Sequence, residues 1–196
     1  MNTMETIVTR GSYRGKYLPE AVKRSDLEEI LAAGLAAPSG CNKQTTSLIA
    51  VDDPTLLNRL REAVPCHVGD TAPAVIYVLT RRIHAYRDKC FSVQDYSAAI
   101  ENMLLAIVDH GYESCWVEGY ITDDDHLGRK LADVLGVPPE YELVCFLPVG
   151  RAAEPVKRPA KLPNDQRAWG SSAISSAAAA WSCIRLQMRS AHWPKR

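Results

Sequence analysis

Two arginines and a serine stand within five residues near the start of the chain, in Arg10-Gly11-Ser12-Tyr13-Arg14. A guanidinium offers a planar fork of donors that matches phosphate or carboxylate oxygens, and a neighbouring hydroxyl adds a short donor. The segment therefore suits an anion, and suits a solvated basic turn as well. A second group is Pro38-Ser39-Gly40-Cys41-Asn42-Lys43-Gln44. Its two amides present donor and acceptor together, which is what the edge of a carbonyl- and N–H-bearing heterocycle requires. The same composition makes an asparagine turn that satisfies its own backbone. A third is Cys115-Trp116-Val117-Glu118-Gly119, where a glycine lets backbone N–H groups approach a flat ligand, while Glu118 by itself reads as a surface carboxylate. Beyond the last apolar run, Lys157, Arg158 and Lys161 add positive charge of a kind that ordinarily marks a solvated face.

Other chemistries lack their residues. The five histidines show no metal-ligand spacing and the six cysteines contain no C-x-x-C pair, so no metal is expected and the thiols read as free and mostly buried. No phosphate-binding P-loop, G-x-G-x-x-G or G-x-S-x-G motif appears. Lys plus Arg (23) balances Asp plus Glu (23), which gives no field for nucleic acid or an anionic membrane. Without a long apolar run or a leader-like start, the expectation is a cytoplasmic protein.

The elements that must position these groups follow from periodicity. A short helix ends near Arg10. Ser25-Asp26-Leu27-Glu28 has the capping-box pattern and opens a helix stopped by Pro38. Ser47 to Val51 reads as a strand, Asp53-Pro54 opens a helix to about Val64, and Ala74 to Leu79 reads as a second strand. Asp95 to His110 is a helix with apolar residues on nearly every face, which implies burial in the core or at a subunit interface. A short strand is expected near Ser114 to Val117, a helix capped by Thr122 to Asp125 runs to about Leu135, and Tyr141 to Val149 supplies a further strand. This mixture points to an α+β domain at 1–167 with a central sheet flanked by helices. Residues 168–196 form an atypical Ser/Ala-rich tail.

Taken in order, R-G-S-Y-R at 10–14, A-P-S-G-C-N-K-Q at 37–44, D-Y-S-A-A-I-E-N-M-L-L-A at 95–106 and C-W-V-E-G at 115–119 resemble the FMN-dependent nitroreductase family over about the first 165 residues. The resemblance implies a mainly antiparallel sheet in an intertwined homodimer, with an FMN in each of two interfacial clefts. It implies that Arg10 and Ser12 hold the FMN phosphate with Lys161 and Arg158, and that Arg14 sits by the pyrimidine edge. Pro38, Ser39, Asn42 and Gln44 would reach the same flavin from the other subunit, and Glu118 and Gly119 would lie at its N5 and O4. NAD(P)H would be an exchanging substrate, and a small-molecule acceptor such as a nitroaromatic or quinone would take the electrons. Relatives with dehalogenating, peptide-dehydrogenating or flavin-fragmenting chemistry, and a non-enzymatic flavin binder, are the alternatives. The chain departs from the family pattern at Gly11, where Arg or His is frequent, and at Thr45-Thr46, where Pro-Trp is common.

Overall fold

The computed structural model describes residues 1–119, 121, 127–164 and 167–168. It separates into a body, Met1–Arg158, and a second unit, Pro159–Arg196.

The most apolar stretch of the chain forms the middle of the sheet. Strand β2 (Ala74–Thr80) is buried along its whole length, because it is paired on both edges and covered on both faces. It lies antiparallel to β1 (Thr46–Val51) in the register Ser47↔Leu79, and antiparallel to β5 (Glu142–Val149) in the register Ile76↔Leu147. Successive side chains of a strand point to opposite faces. Ala74, Ile76 and Val78 meet α2 (Arg24–Leu35) and α4 (Ser92–Asp109). Val75, Tyr77 and Leu79 meet α3 (Pro54–Ala63) and α5 (Leu127–Val134). The result is an α+β fold, an antiparallel sheet with helices on both faces. Its innermost side chains, among them Ile30, Ile76, Ile100, Met103 and Ile107, are wholly enclosed.

Local chemistry sets the helix ends. Asp53 caps α3 by accepting from the Leu56 N–H at 2.7 Å, and Pro54 occupies the first turn. The expected capping box at Ser25 does not form: α2 begins at Arg24 after Lys23, and Ser25 lies inside the helix. Tyr112 takes over that end, since its hydroxyl donates to the Asp26 carboxylate at 2.8 Å and accepts from the Lys23 N–H at 3.4 Å. Helix α1 (Thr3–Thr9) has the box that α2 lacks, with Asn2 and Glu5 bonded reciprocally at 3.0 Å.

Three further expectations change. Helix α4 begins at Ser92, three residues earlier than read from the pattern, and Asp95 lies in its first turn. Its face carrying Ala98, Leu105 and Ala106 is only half-buried. The expected strand at 114–117 is replaced by isolated bridges, Glu113↔Gly150 and Val117↔Phe146, because the intervening Ser114 carbonyl accepts from Tyr13 instead. A hairpin that the pattern did not announce, β3 (His84–Tyr86) and β4 (Lys89–Cys90), turns through Arg87 at φ 51°. The helix cap expected at 122–125 and nearly all of the tail at 168–196 lie outside the described residues. Among the described residues no helix is long and apolar enough to cross a membrane.

The core has a consequence at high pH. Tyr17 and Tyr77 are each 4% exposed, and burial raises both phenols well above their usual range. In the unfolded chain each ionises near pH ~10. The folded-state pKa is the higher one, so this contribution is complete below pH ~10 and lost as pH rises, by up to about 1.4 kcal/mol per pH unit for each tyrosine. Melting temperature is expected to fall steeply above pH ~10 and less steeply in Tyr77→Phe. Equal slopes for the two proteins would refute the assignment.

Candidate active site

Beyond β5, three stretches distant in sequence run side by side. The Tyr13 N–H donates to the Ser114 carbonyl at 2.8 Å, the Glu113 N–H to Gly150 at 2.8 Å, and the Leu18 N–H to Arg151 at 2.9 Å. Val117 and Phe146 exchange both backbone bonds at 3.1 Å. This arrangement brings Arg14, Cys115, Trp116, Glu118 and Gly119 to the wall of an open cleft of about 400 Å³ that Pro65 to Val68 also line. The 65–68 stretch lies outside the motifs at 10–14, 37–44, 95–106 and 115–119. Only Pro65, just after the end of α3, marked that the chain turns there.

Glu118 is not the surface carboxylate that its residue type implies. Its two oxygens are taken by the Tyr96 hydroxyl at 2.9 Å and the Trp116 indole N–H at 2.7 Å, which turn the side chain into the protein. Burial first, then this bond, pushes the Tyr96 phenol far up, so it remains a donor. The Glu118 carboxylate is thereby occupied, while Glu118 and Gly119 both line the cleft. Nothing lies within 4 Å of where a Gly119 side chain would begin. The Cys115 thiol is buried and its pKa is raised by desolvation, so it is a poor nucleophile. Of the described cysteines only Cys115 and Cys145 are buried, whereas Cys41 and Cys90 are exposed, contrary to the expectation of mostly buried thiols.

Arg10 pairs with Glu101 of α4, Nε to Oε1 at 3.2 Å, at an angle that leaves buried Nε without a hydrogen bond. Arg14 has no ion-pair partner among the described residues. Arg158 behaves differently, since its fork is spent on Glu113 at 2.8 and 3.1 Å. That side chain also explains Gly11. A Cβ there would stand 2.6 Å from Arg158 Cδ, so the absence of a side chain at 11 is what lets the arginine lie across the segment. Lys161 is exposed and belongs to the second unit.

Pro38, Ser39 and Gln44 line a separate cavity of about 180 Å³, together with Asp95 and Ala99. Asn42 is exposed on the same loop. The two cavities share no lining residue. One chain thus gathers Arg14, Glu118 and Gly119 at one place and the 38–44 loop at another, and both places are tied to the first turn of α4 through Tyr96 and Asp95.

Solved structures share this architecture. A BluB-like flavoprotein from Clostridium difficile 630 superposes with a TM-score of 0.74 at 23% identity, over 87% of this chain and 99% of that one. A nitroreductase from Bacteroides fragilis, solved with bound FMN, gives 0.67 at 26% identity over 83% and 95%. In sequence, a protein of Archaeoglobus fulgidus provisionally named NADH dehydrogenase/NAD(P)H nitroreductase is 30% identical over 75% of this chain and 83% of its own length. The fold is that of a class of oxidoreductases. A profile of the nitroreductase family matches residues 7–68 and 64–151, and the chain belongs to that family.

Proposed function

We propose that the chain is an FMN-dependent NAD(P)H oxidoreductase that passes electrons to nitroaromatic, quinone or related small electrophilic acceptors, with donor and acceptor taking turns in one cleft. The observation that carries this reading is the cleft itself. An arginine with no ion-pair partner among the described residues and an exposed glycine line the same space, whose volume lies within the usual ~300–1,000 Å³ range of ligand sites.

The residues present fit the cofactor. Arg10 has a buried Nε lacking a hydrogen bond, and with Ser12 it supplies phosphate donors. Arg14 supplies positive charge for the pyrimidine edge, where reduction places negative charge. Backbone N–H groups of Glu118 and Gly119 would serve N5 and O4, with the Glu118 side chain held back by Tyr96 and Trp116. Arg158 can join the phosphate site only by giving up Glu113, and is better read as a brace for the 10–14 segment. Bound there, FMN supplies the two-electron chemistry, and the protein contributes binding, orientation and electrostatics.

A homodimer completes the proposal. Helix α1 packs on α4 yet exposes Met4, Ile7 and Val8 at 65%, 44% and 72%, and α4 itself keeps a half-buried apolar face. Apolar side chains grouped in this way mark an interaction surface. A second copy seated there would bring its Pro38, Ser39, Asn42 and Gln44 to the first copy's flavin.

The purified protein is expected to be a yellow dimer whose visible band bleaches on anaerobic addition of NADH or NADPH and returns with a quinone or nitroaromatic. An FMN-loaded dimer that neither nucleotide bleaches would remove the nicotinamide half of the proposal. Failure of the protein to take up FMN at micromolar concentration would remove all of it.

A further inference from the structure

We infer that Asp95 is the positioning residue of the 38–45 loop, holding it in the shape in which Asn42 and Gln44 can read a flavin; the inference rests on the FMN reading above. The loop does not have a relaxed conformation. Cys41, Asn42 and Gln44 have φ of 50°, 53° and 47°, in the left-handed region that side-chain-bearing residues disfavour. Three such residues within four positions persist only where the surroundings dictate them.

The Asp95 carboxylate supplies that dictation. It is 4% exposed, and its two oxygens fasten both ends of the strained stretch: Oδ1 accepts from the Gly40 N–H and Oδ2 from the Thr45 hydroxyl, each at 2.7 Å. The Gln44 N–H also donates to the Ser39 hydroxyl, one residue before the first anchor, at 3.0 Å, closing the loop on itself. Gly40 is seated against Phe91, where a Cβ would come within 2.8 Å of the ring. With the backbone pinned, the side chains of Asn42 and Gln44 remain exposed and carry amides in a fixed place. Preorganisation of this kind removes ordering cost from the binding step. The adjacent residue, Tyr96, fixes Glu118, so one turn of α4 sets both loops that the proposed cofactor would touch.

The hydrogen bonds, and not the charge, are what the loop needs, and this gives a discriminating test. Asparagine at 95 can accept from Gly40 through its carbonyl and donate to Thr45, whose hydroxyl can turn to accept. Asp95→Asn is therefore expected to bind FMN within about threefold of wild type, and Asp95→Ala at least tenfold more weakly, in fluorescence titrations of the dimer. In hydrogen exchange, the Asp95→Ala protein is expected to lose protection at residues 39–45 and to keep it in β2 and α4. If Asp95→Ala does not fold, Thr45→Val, which removes one anchor, carries the same local exchange signature with a loss of several-fold in affinity. Unchanged FMN affinity in Asp95→Ala or Thr45→Val, an Asp95→Asn protein as weak as Asp95→Ala, or protection lost across the sheet in a variant that folds would each overturn the inference. Failure of the wild type to bind FMN would instead overturn the reading beneath it.

Discussion

Arg14→Ala is expected to weaken FMN binding by about 10- to 150-fold, the equivalent of ~1.5–3 kcal/mol for a charge-assisted hydrogen bond lost without a substitute. Arg14 is exposed at the cleft wall and has no acidic partner among the described residues, so its donors are available to a ligand. For the same reason its removal should leave stability almost unchanged. Arg158→Ala is expected to behave in the opposite way. Glu113 already takes its fork at 2.8 and 3.1 Å, and that carboxylate is only 15% exposed, so deletion leaves a largely covered charge unpaired. A smaller change in affinity and a clear drop in melting temperature should result. If both variants lost FMN equally while melting like wild type, the two arginines would not have separate roles.

The largest effect on stability is expected from Gly128→Ala. An added Cβ at this second residue of α5 would lie 2.4 Å from the Leu143 carbonyl oxygen and 3.1 Å from that of Ile121. Both obstacles are backbone, and Leu143 belongs to a sheet strand, so neither can swing aside as a side chain would. Moving α5 outward would uncover Leu131 and Ala132, which pack into the core on that face. We expect a loss of about 3 kcal/mol, at the upper end of ordinary overpacking, and a fall of roughly 6–12 °C in calorimetric melting temperature. Gly136→Ala is the control, with open space around it and a φ of 68°, where only the backbone cost of about 1 kcal/mol applies. A Gly128→Ala protein melting with the control would show that the helix has room to move.

These contrasts show which parts of the site were legible in the residues. Regular elements with one dominant period could be read: β2 from six consecutive apolar residues, α3 from Asp53-Pro54, and α4 from its unbroken helical pattern. Features created by contacts across the chain could not. The start of α2 depends on Tyr112, far along the sequence, and the 114–117 segment divides its backbone bonds between β5 and the 10–15 stretch. Motif residues were legible as types, but their commitments were not. Arg14 and Arg158 look alike on paper, and only the position of Glu113 separates a free cation from a brace. Asp95 was visible as the first letter of a helical motif, while its bonds to Gly40 and Thr45 join residues 55 and 50 positions away.

The placement of β2 also bears on how the chain is made. Its partner on one edge, β1, is synthesised before it, whereas the other edge must wait for β5, since Ala74 pairs with Val149. At ~5–20 residues per second that interval lasts roughly 3–14 s, during which an uncharged, β-prone ribbon has an open side. Such windows attract sticking between nascent copies. The yield of folded protein should therefore depend on translation speed and chaperone supply while that edge is open.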